Sequence, residues 1–252
     1  MKRQRIGEGN QPLICTPLVG KQRESIRLEL HHVLEKRPDL IEWRVDFFEG
    51  IANTEKVLDL AQEIKESAGD IPLIFTLRSV REGGQPVSLN DQEALKLIEA
   101  ICQKTEVEYV DFELSNSEEA FKELRQVSLE SQTQIIASYH NFEFTPESEI
   151  LLGKIAEAQR LSADVAKIAV MSQNLHDVLT LLKVTLNAKE TVDIPLISLA
   201  MGQYGTITRM MGGVFGSSVT FAVGESSSAP GQMPIEDLRS VLGILQKSIG
   251  QV

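Results

Sequence analysis

Short apolar runs alternate with longer, charge-rich amphipathic segments from one end of the sequence to the other. Runs at 13–16, 40–46, 72–78, 107–114, 134–140, 165–171, 195–201 and 219–223 have the length and the β-branched, apolar content of buried strands. Between them, segments at 24–35, 54–67, 91–104, 117–129, 146–161, 173–186, 206–215 and 235–249 carry apolar residues at helical spacing. Strand followed by helix, eight times in 252 residues with no linker-like interruption, predicts an α/β fold of the (β/α)8 TIM barrel type, residues 1–252 forming a single domain. A doubly wound open sheet is the competing architecture, and it usually carries a glycine-rich phosphate turn after its first strand. Here that turn reads Thr16-Pro17-Leu18-Val19-Gly20-Lys21, without such a pattern, and the Gly83-Gly84 and Gly212-Gly213 pairs stand alone. The barrel is therefore preferred.

Charge narrows the partners. With 25 Lys plus Arg against 36 Asp plus Glu, the formal charge is −11, which disfavours nonspecific binding to nucleic acid or to an anionic membrane surface. Only Cys15 and Cys102 are present, both in apolar contexts, so neither a disulfide framework nor a cysteine metal site is expected. The basic stretch at 1–5 runs into Gly7-Glu8-Gly9-Asn10-Gln11-Pro12, where an export signal would need an apolar core, and no apolar stretch has the length of a membrane span. The expectation is a cytoplasmic protein acting on a small molecule, with no metal and no cofactor.

Candidate chemistry lies where the strands end, because barrel active sites form at their C-terminal edge. Lys167 sits inside the apolar run Asp164-Val165-Ala166-Lys167-Ile168-Ala169-Val170-Met171. Desolvation penalises an ammonium, so such a lysine can become a neutral amine able to attack a carbonyl carbon; alternatively it snorkels to water from the strand end. In the second strand Glu42, Arg44 and Asp46 share one parity and Ile41, Trp43 and Val45 the other, which aims the charged set into the barrel. Thr76-Leu77-Arg78 followed by Glu82 places a guanidinium and a carboxylate on one rim, and Asp111 and Glu113 do likewise in the fourth strand, where pairing that merely closes the barrel mouth is the favoured role. His140 closes the fifth strand, beside the strand that carries Lys167; His31, His32 and His176 fall on or at helices. Met201 ends the seventh strand. Arg209 falls in the first turn of the next predicted helix, beside the positive end of its dipole, a position that asks for a ligand anion. Residues 225–232, Glu-Ser-Ser-Ser-Ala-Pro-Gly-Gln, are small enough to close over a ligand as a lid or to form an ordinary turn.

Taken together, Glu42-Trp43-Arg44-Val45-Asp46, Thr76-Leu77-Arg78 with Glu82-Gly83-Gly84, Ser138-Tyr139-His140 with Phe142, Lys167-Ile168-Ala169-Val170-Met171, Thr208-Arg209, Val214-Phe215-Gly216-Ser217 and Ser228-Ala229-Pro230-Gly231-Gln232 resemble, in order and spacing, the type I 3-dehydroquinate dehydratases. That resemblance runs from about Gly7 to the last helix. It implies a lyase of the shikimate pathway, serving aromatic amino acid biosynthesis, that dehydrates 3-dehydroquinate to 3-dehydroshikimate. It further implies a Schiff base on Lys167, His140 as general acid and base, and Glu82 tuning His140. By the same resemblance Arg209 binds the substrate carboxylate, and Glu42, Arg44, Arg78, Met201, Ser228 and Gln232 complete the substrate site. Pro17 departs from the family, some of whose members place a serine there, which puts a polar contact from the first strand in doubt. A homodimer is implied as well, although no helix shows an unmistakable apolar outer stripe in the sequence. A class I aldolase on the same barrel, with a phosphate cup near Ser226–Gln232, and a noncatalytic barrel are the other two readings.

Overall fold

A computed structural model describes residues 4–224 and 228–249. Eight strands, β1 (Leu13–Leu18), β2 (Leu40–Arg44), β3 (Leu73–Thr76), β4 (Tyr109–Glu113), β5 (Gln134–Asn141), β6 (Val165–Met171), β7 (Leu196–Met201) and β8 (Val219–Phe221), alternate with eight helices. The helices are α1 (Arg23–Glu35), α2 (Thr54–Ala68), α3 (Asp91–Lys104), α4 (Glu118–Ser131), α5 (Ser148–Arg160), α6 (Leu175–Thr191), α7 (Gly205–Phe215) and α8 (Ile235–Ile249). The strands pair in the order β7-β6-β5-β4-β3-β2-β1-β8, and β1 is parallel to both of its neighbours. Between β7 and β8 the ring is completed by a bridge, Leu196 with Ser217, and by the Ser218 N–H donating to the Leu196 carbonyl at 2.7 Å. This is the (β/α)8 barrel that the alternation predicts.

Strand parity sorts the side chains into two apolar shells. Ile41, Trp43, Phe75, Val110, Ile135, Ala166, Ile168 and Val170 point outward and pack with the apolar faces of the helices. Leu13, Cys15, Leu40, Ile74, Tyr109, Ile136, Val165, Ile197, Val219 and Phe221 point inward and fill the lower barrel, which Ile6 plugs from below. The inward positions nearer the C-terminal edge change character. Glu42, Thr76, Asp111, Ser138 and Lys167 are all buried there, so the apolar floor carries a layer of polar and charged groups.

Several predicted boundaries move, chiefly at that edge. β2 stops at Arg44, and Val45–Phe47 form a 3-10 turn in which Asp46 folds back on Arg44 with two 2.8 Å contacts. β3 stops at Thr76, which leaves Arg78 in the loop after it, and β8 stops at Phe221. Helix ends follow their caps: Asn174 accepts from the backbone of His176 and Asp177, so α6 begins at Leu175 and extends to Thr191. α6 also corrects the expectation about outer stripes, since Leu175, Leu179 and Leu186 share one face and are each 41% exposed or more. Pro17 lies two residues beyond the last β1–β8 pair, Cys15 with Phe221, where a missing N–H costs that ladder nothing.

Candidate active site

Lys167 is the third residue of β6, paired in register with Ser138 of β5, and is only 4% exposed. It does not snorkel. Its Nζ donates to Asp111 Oδ2 at 2.8 Å and to Glu42 Oε1 at 3.2 Å, and lies 5.1 Å from the centre of the Phe221 ring. Burial pulls its pKa down, but Asp111 and Glu42 offset that effect, and the net shift is upward. The expectation of a neutral resting amine is therefore corrected: without ligand, Lys167 is an ammonium in a two-carboxylate cage. Desolvation alone, all that an apolar sequence context reveals, gives the wrong sign.

His140 stands one inward position above Ser138 on the neighbouring strand. Its Nδ1 lies 2.9 Å from Glu82 Oε2, and the same oxygen accepts its backbone N–H at 2.9 Å. Burial and the positive charges of Arg78 and Lys167 hold the imidazole well below its usual pKa. A neutral ring whose Nδ1–H donates to Glu82 leaves the Nε2 lone pair free as a base. Glu82 closes the 3-10 turn Val80–Glu82; burial and the nearby Glu113 push its pKa up to about 7, against the pull of Arg78. The next residue, Gly83, has φ 82°, and a Cβ there would fall 2.3 Å from the Phe142 ring. Glycine is what allows the turn that ends in Glu82 to pass this close to Phe142.

Arg78 links the acids. It donates to Glu113 and Ser138 at 3.0 Å each and pairs with Asp111 at 2.8 Å. Arg44, tied to Asp46, lies over the Phe47 ring with its guanidinium carbon 5.0 Å from the centroid. Arg209 is different. It is 1% exposed; among the described residues its NH2 groups reach only the carbonyls of Phe221 at 3.4 Å and Pro230 at 3.3 Å, and its Nε has no partner. No acid among the described residues pairs with it, and desolvation lowers its pKa to about 10. Arg209 is the fifth residue of α7, so the first-turn dipole argument does not apply. The better signal is a buried cation with no counter-charge among the described residues, which is costly unless an anion supplies one.

One cavity collects Glu42, Arg44, Arg78, Glu82, His140, Lys167, Met201, Arg209, Ser228 and Gln232, every residue that the sequence nominated. Ser228 and Gln232 hold each other across the β8–α8 loop, the Ser228 N–H donating to Gln232 Oε1 at 3.1 Å and Gln232 Nε2 donating to Ser228 Oγ at 3.2 Å. Glu225, Ser226 and Ser227 of the expected lid lie outside the described residues. The sequence reading passed over Ala169, Leu199 and Phe221 as apolar walls, and Thr76 and Ser138, which donate to Glu42 and Asp111. It took Asp111 for an acid that pairs with the arginines of the rim, and Asp111 does pair with Arg78, but it also touches Lys167. Extending the inward parity of Arg78 to Thr76, and of His140 to Ser138, would have found the two hydroxyls.

Fold and site together define a barrel enzyme whose charged centre is buried at the C-terminal edge of the strands. The sequence model of the type I 3-dehydroquinase family matches residues 14–249. A 3-dehydroquinate dehydratase of Aromatoleum aromaticum is 48% identical over 249 residues, 99% of this chain and 96% of the relative. The crystal structure of the Geobacillus kaustophilus 3-dehydroquinate dehydratase superposes with a TM-score of 0.93 at 48% identity, over 95% of this chain and 93% of that one. A type I enzyme from Clostridium difficile, solved with covalently modified comenic acid, gives 0.92 at 39% identity, over 96% and 95% of the two chains. The chain belongs to the type I 3-dehydroquinase family. It is a lyase of the shikimate pathway that dehydrates 3-dehydroquinate, and a Schiff base is characteristic of its type.

Proposed function

We propose that Lys167 is the Schiff-base lysine and that His140, oriented by Glu82, moves the protons. The observation that carries this reading is the convergence, in one cavity, of a buried amine, a neutral imidazole and a buried arginine that no acid among the described residues pairs with. Lys167, once it has given up a proton, attacks the C3 ketone of 3-dehydroquinate, and water leaves to give the imine. His140 Nε2 then takes the C2 proton, the C–H electron pair moving toward the imine nitrogen. The imidazolium returns that proton to the C1 hydroxyl, which departs as water, and hydrolysis of the imine releases 3-dehydroshikimate. Arg209 binds the carboxylate at C1, while Glu42, Arg44 and Arg78 supply hydrogen bonds around the ring and Met201, Ser228 and Gln232 wall and cover it. An ultraviolet assay for the conjugated enone, with borohydride reduction and peptide mass mapping, tests the assignment. Enone formation without an adduct on Lys167 would refute it.

Arg209→Ala is expected to weaken substrate binding by about 2–5 kcal/mol, the range for a desolvated charge pair. Calorimetric titration with the product should record this loss, and a change under tenfold would remove Arg209 from the carboxylate site.

The domain, location and assembly belong to the same proposal. We infer that residues 1–252 work as a single barrel domain in the cytoplasm, as a homodimer. Among the described residues no helix is long and apolar enough to cross a membrane. The exposed leucines of α6, with Met211 and Val214 of the neighbouring helix α7, 37% and 44% exposed, are the apolar surface that we assign to the dimer contact. Light scattering should give twice the chain mass, and Leu179→Glu should halve it.

A further inference from the structure

Asp111 sits on the inward face of β4 where the ion pairs of the site converge. Its Oδ2 accepts from Lys167 Nζ at 2.8 Å and pairs with Arg78 Nη2 at 2.8 Å, while its Oδ1 accepts the Ser138 hydroxyl at 2.6 Å. Its side chain is 1% exposed. Glu42, the second carboxylate on Nζ, lines the cavity and Asp111 does not. An entering substrate therefore meets Glu42, and Asp111 stays fixed behind the amine.

We propose that Asp111 is a further catalytic residue, the carboxylate that keeps the Lys167 nitrogen cationic, first as ammonium and then as protonated imine. The inference rests on the Schiff-base reading above. An ammonium and a ketone become an iminium and water: the carbonyl oxygen leaves with two of the three nitrogen-bound protons, and the third stays. One positive charge faces Asp111 before and after the step, so the counter-ion is preorganised for both. In an apolar barrel an iminium without such a partner sheds its proton, because burial penalises the charged form. A neutral imine is a poor sink for the C2–H electron pair. When His140 removes that proton, the electron pair neutralises the nitrogen and the positive charge passes to the imidazolium, which also lies within the field of Asp111.

The groups facing Nζ make the direction of the effect unambiguous. From β1 comes the neutral Cys15 thiol, from β2 Glu42, from the loop after β3 the cation Arg78, from β5 His140 above and from β8 the Phe221 ring, while the inward residues of β7 are apolar. With Asp111 neutral, Arg78 remains to repel the amine and only Glu42 holds it.

Asp111→Asn keeps the shape and removes the charge. The enzyme and the variant are incubated with 3-dehydroquinate across a pH range, reduced with borohydride, and read by intact mass. The midpoint for adduct formation should move down by roughly one pH unit or more, because the amine loses its proton sooner. Turnover at neutral pH should fall by about 10²-fold or more, with the adduct retaining the mass of the undehydrated substrate. General structural damage would lower adduct yield at every pH without moving the midpoint, so an unmoved midpoint overturns the inference. Should that variant not fold, Asp111→Ala supplied with formate decides: turnover restored by formate supports the role, and no restoration overturns it. Failure of the unsubstituted enzyme to trap substrate on Lys167 would overturn the Schiff-base reading and this inference together, whereas trapping there with an unmoved midpoint overturns this inference alone.

Discussion

Lys167→Ala is expected to abolish both dehydration and borohydride trapping. No other amine of the described chain lines the cavity, so nothing can take over the attack on the C3 ketone. Removing the lysine also strands two carboxylates that it had neutralised, and breaking such a buried pair typically costs about 3–5 kcal/mol. Here part of that cost is absorbed, because Asp111 keeps Arg78 and Ser138, and Glu42 keeps Thr76. The variant should fold with a lowered melting temperature and still bind product, since Arg209 and the loop that carries Ser228 and Gln232 are untouched. Steady-state enone formation, trapping and product titration check the three parts together. Retained turnover would end the assignment of Lys167.

His140→Ala should separate the steps. Without the imidazole the amine can still form an imine, but removal of the C2 proton and protonation of the leaving hydroxyl lose their agent, a loss of about 10²–10⁴-fold. Mass spectrometry should find undehydrated substrate accumulated on Lys167. The same group shapes the pH profile. With its Nδ1–H donated to the Glu82 carboxylate, His140 presents a free Nε2; protonating Glu82, whose pKa is pushed up to about 7, removes that acceptor. The two titrate as a coupled pair, so turnover should fall as the pH drops through about 7, and Glu82→Gln should lose that limb. Unchanged turnover in His140→Ala, with no accumulated adduct, would make the histidine structural.

Period and parity carried most of the architecture into plain view. Eight apolar runs separated by amphipathic segments admit few folds, and three elements, 91–104, 165–171 and 235–249, have observed bounds identical to those read from the pattern. Parity likewise aimed Glu42 and Arg44 inward and Trp43 outward, because alternation along a strand is a local property of the backbone. What parity cannot supply is the partner across the barrel. Lys167 and Asp111 are separated by 56 residues, Lys167 and Glu42 by 125, and those contacts reverse the direction of the lysine's pKa shift. Arg209 shows the opposite case, since a sequence can place an arginine near a helix start but cannot reveal that no acid among the described residues reaches it. A side chain's identity and its face follow from the chain's own periodicity, whereas protonation depends on charges a few ångströms away in space. Only the closing of the barrel brings those charges together.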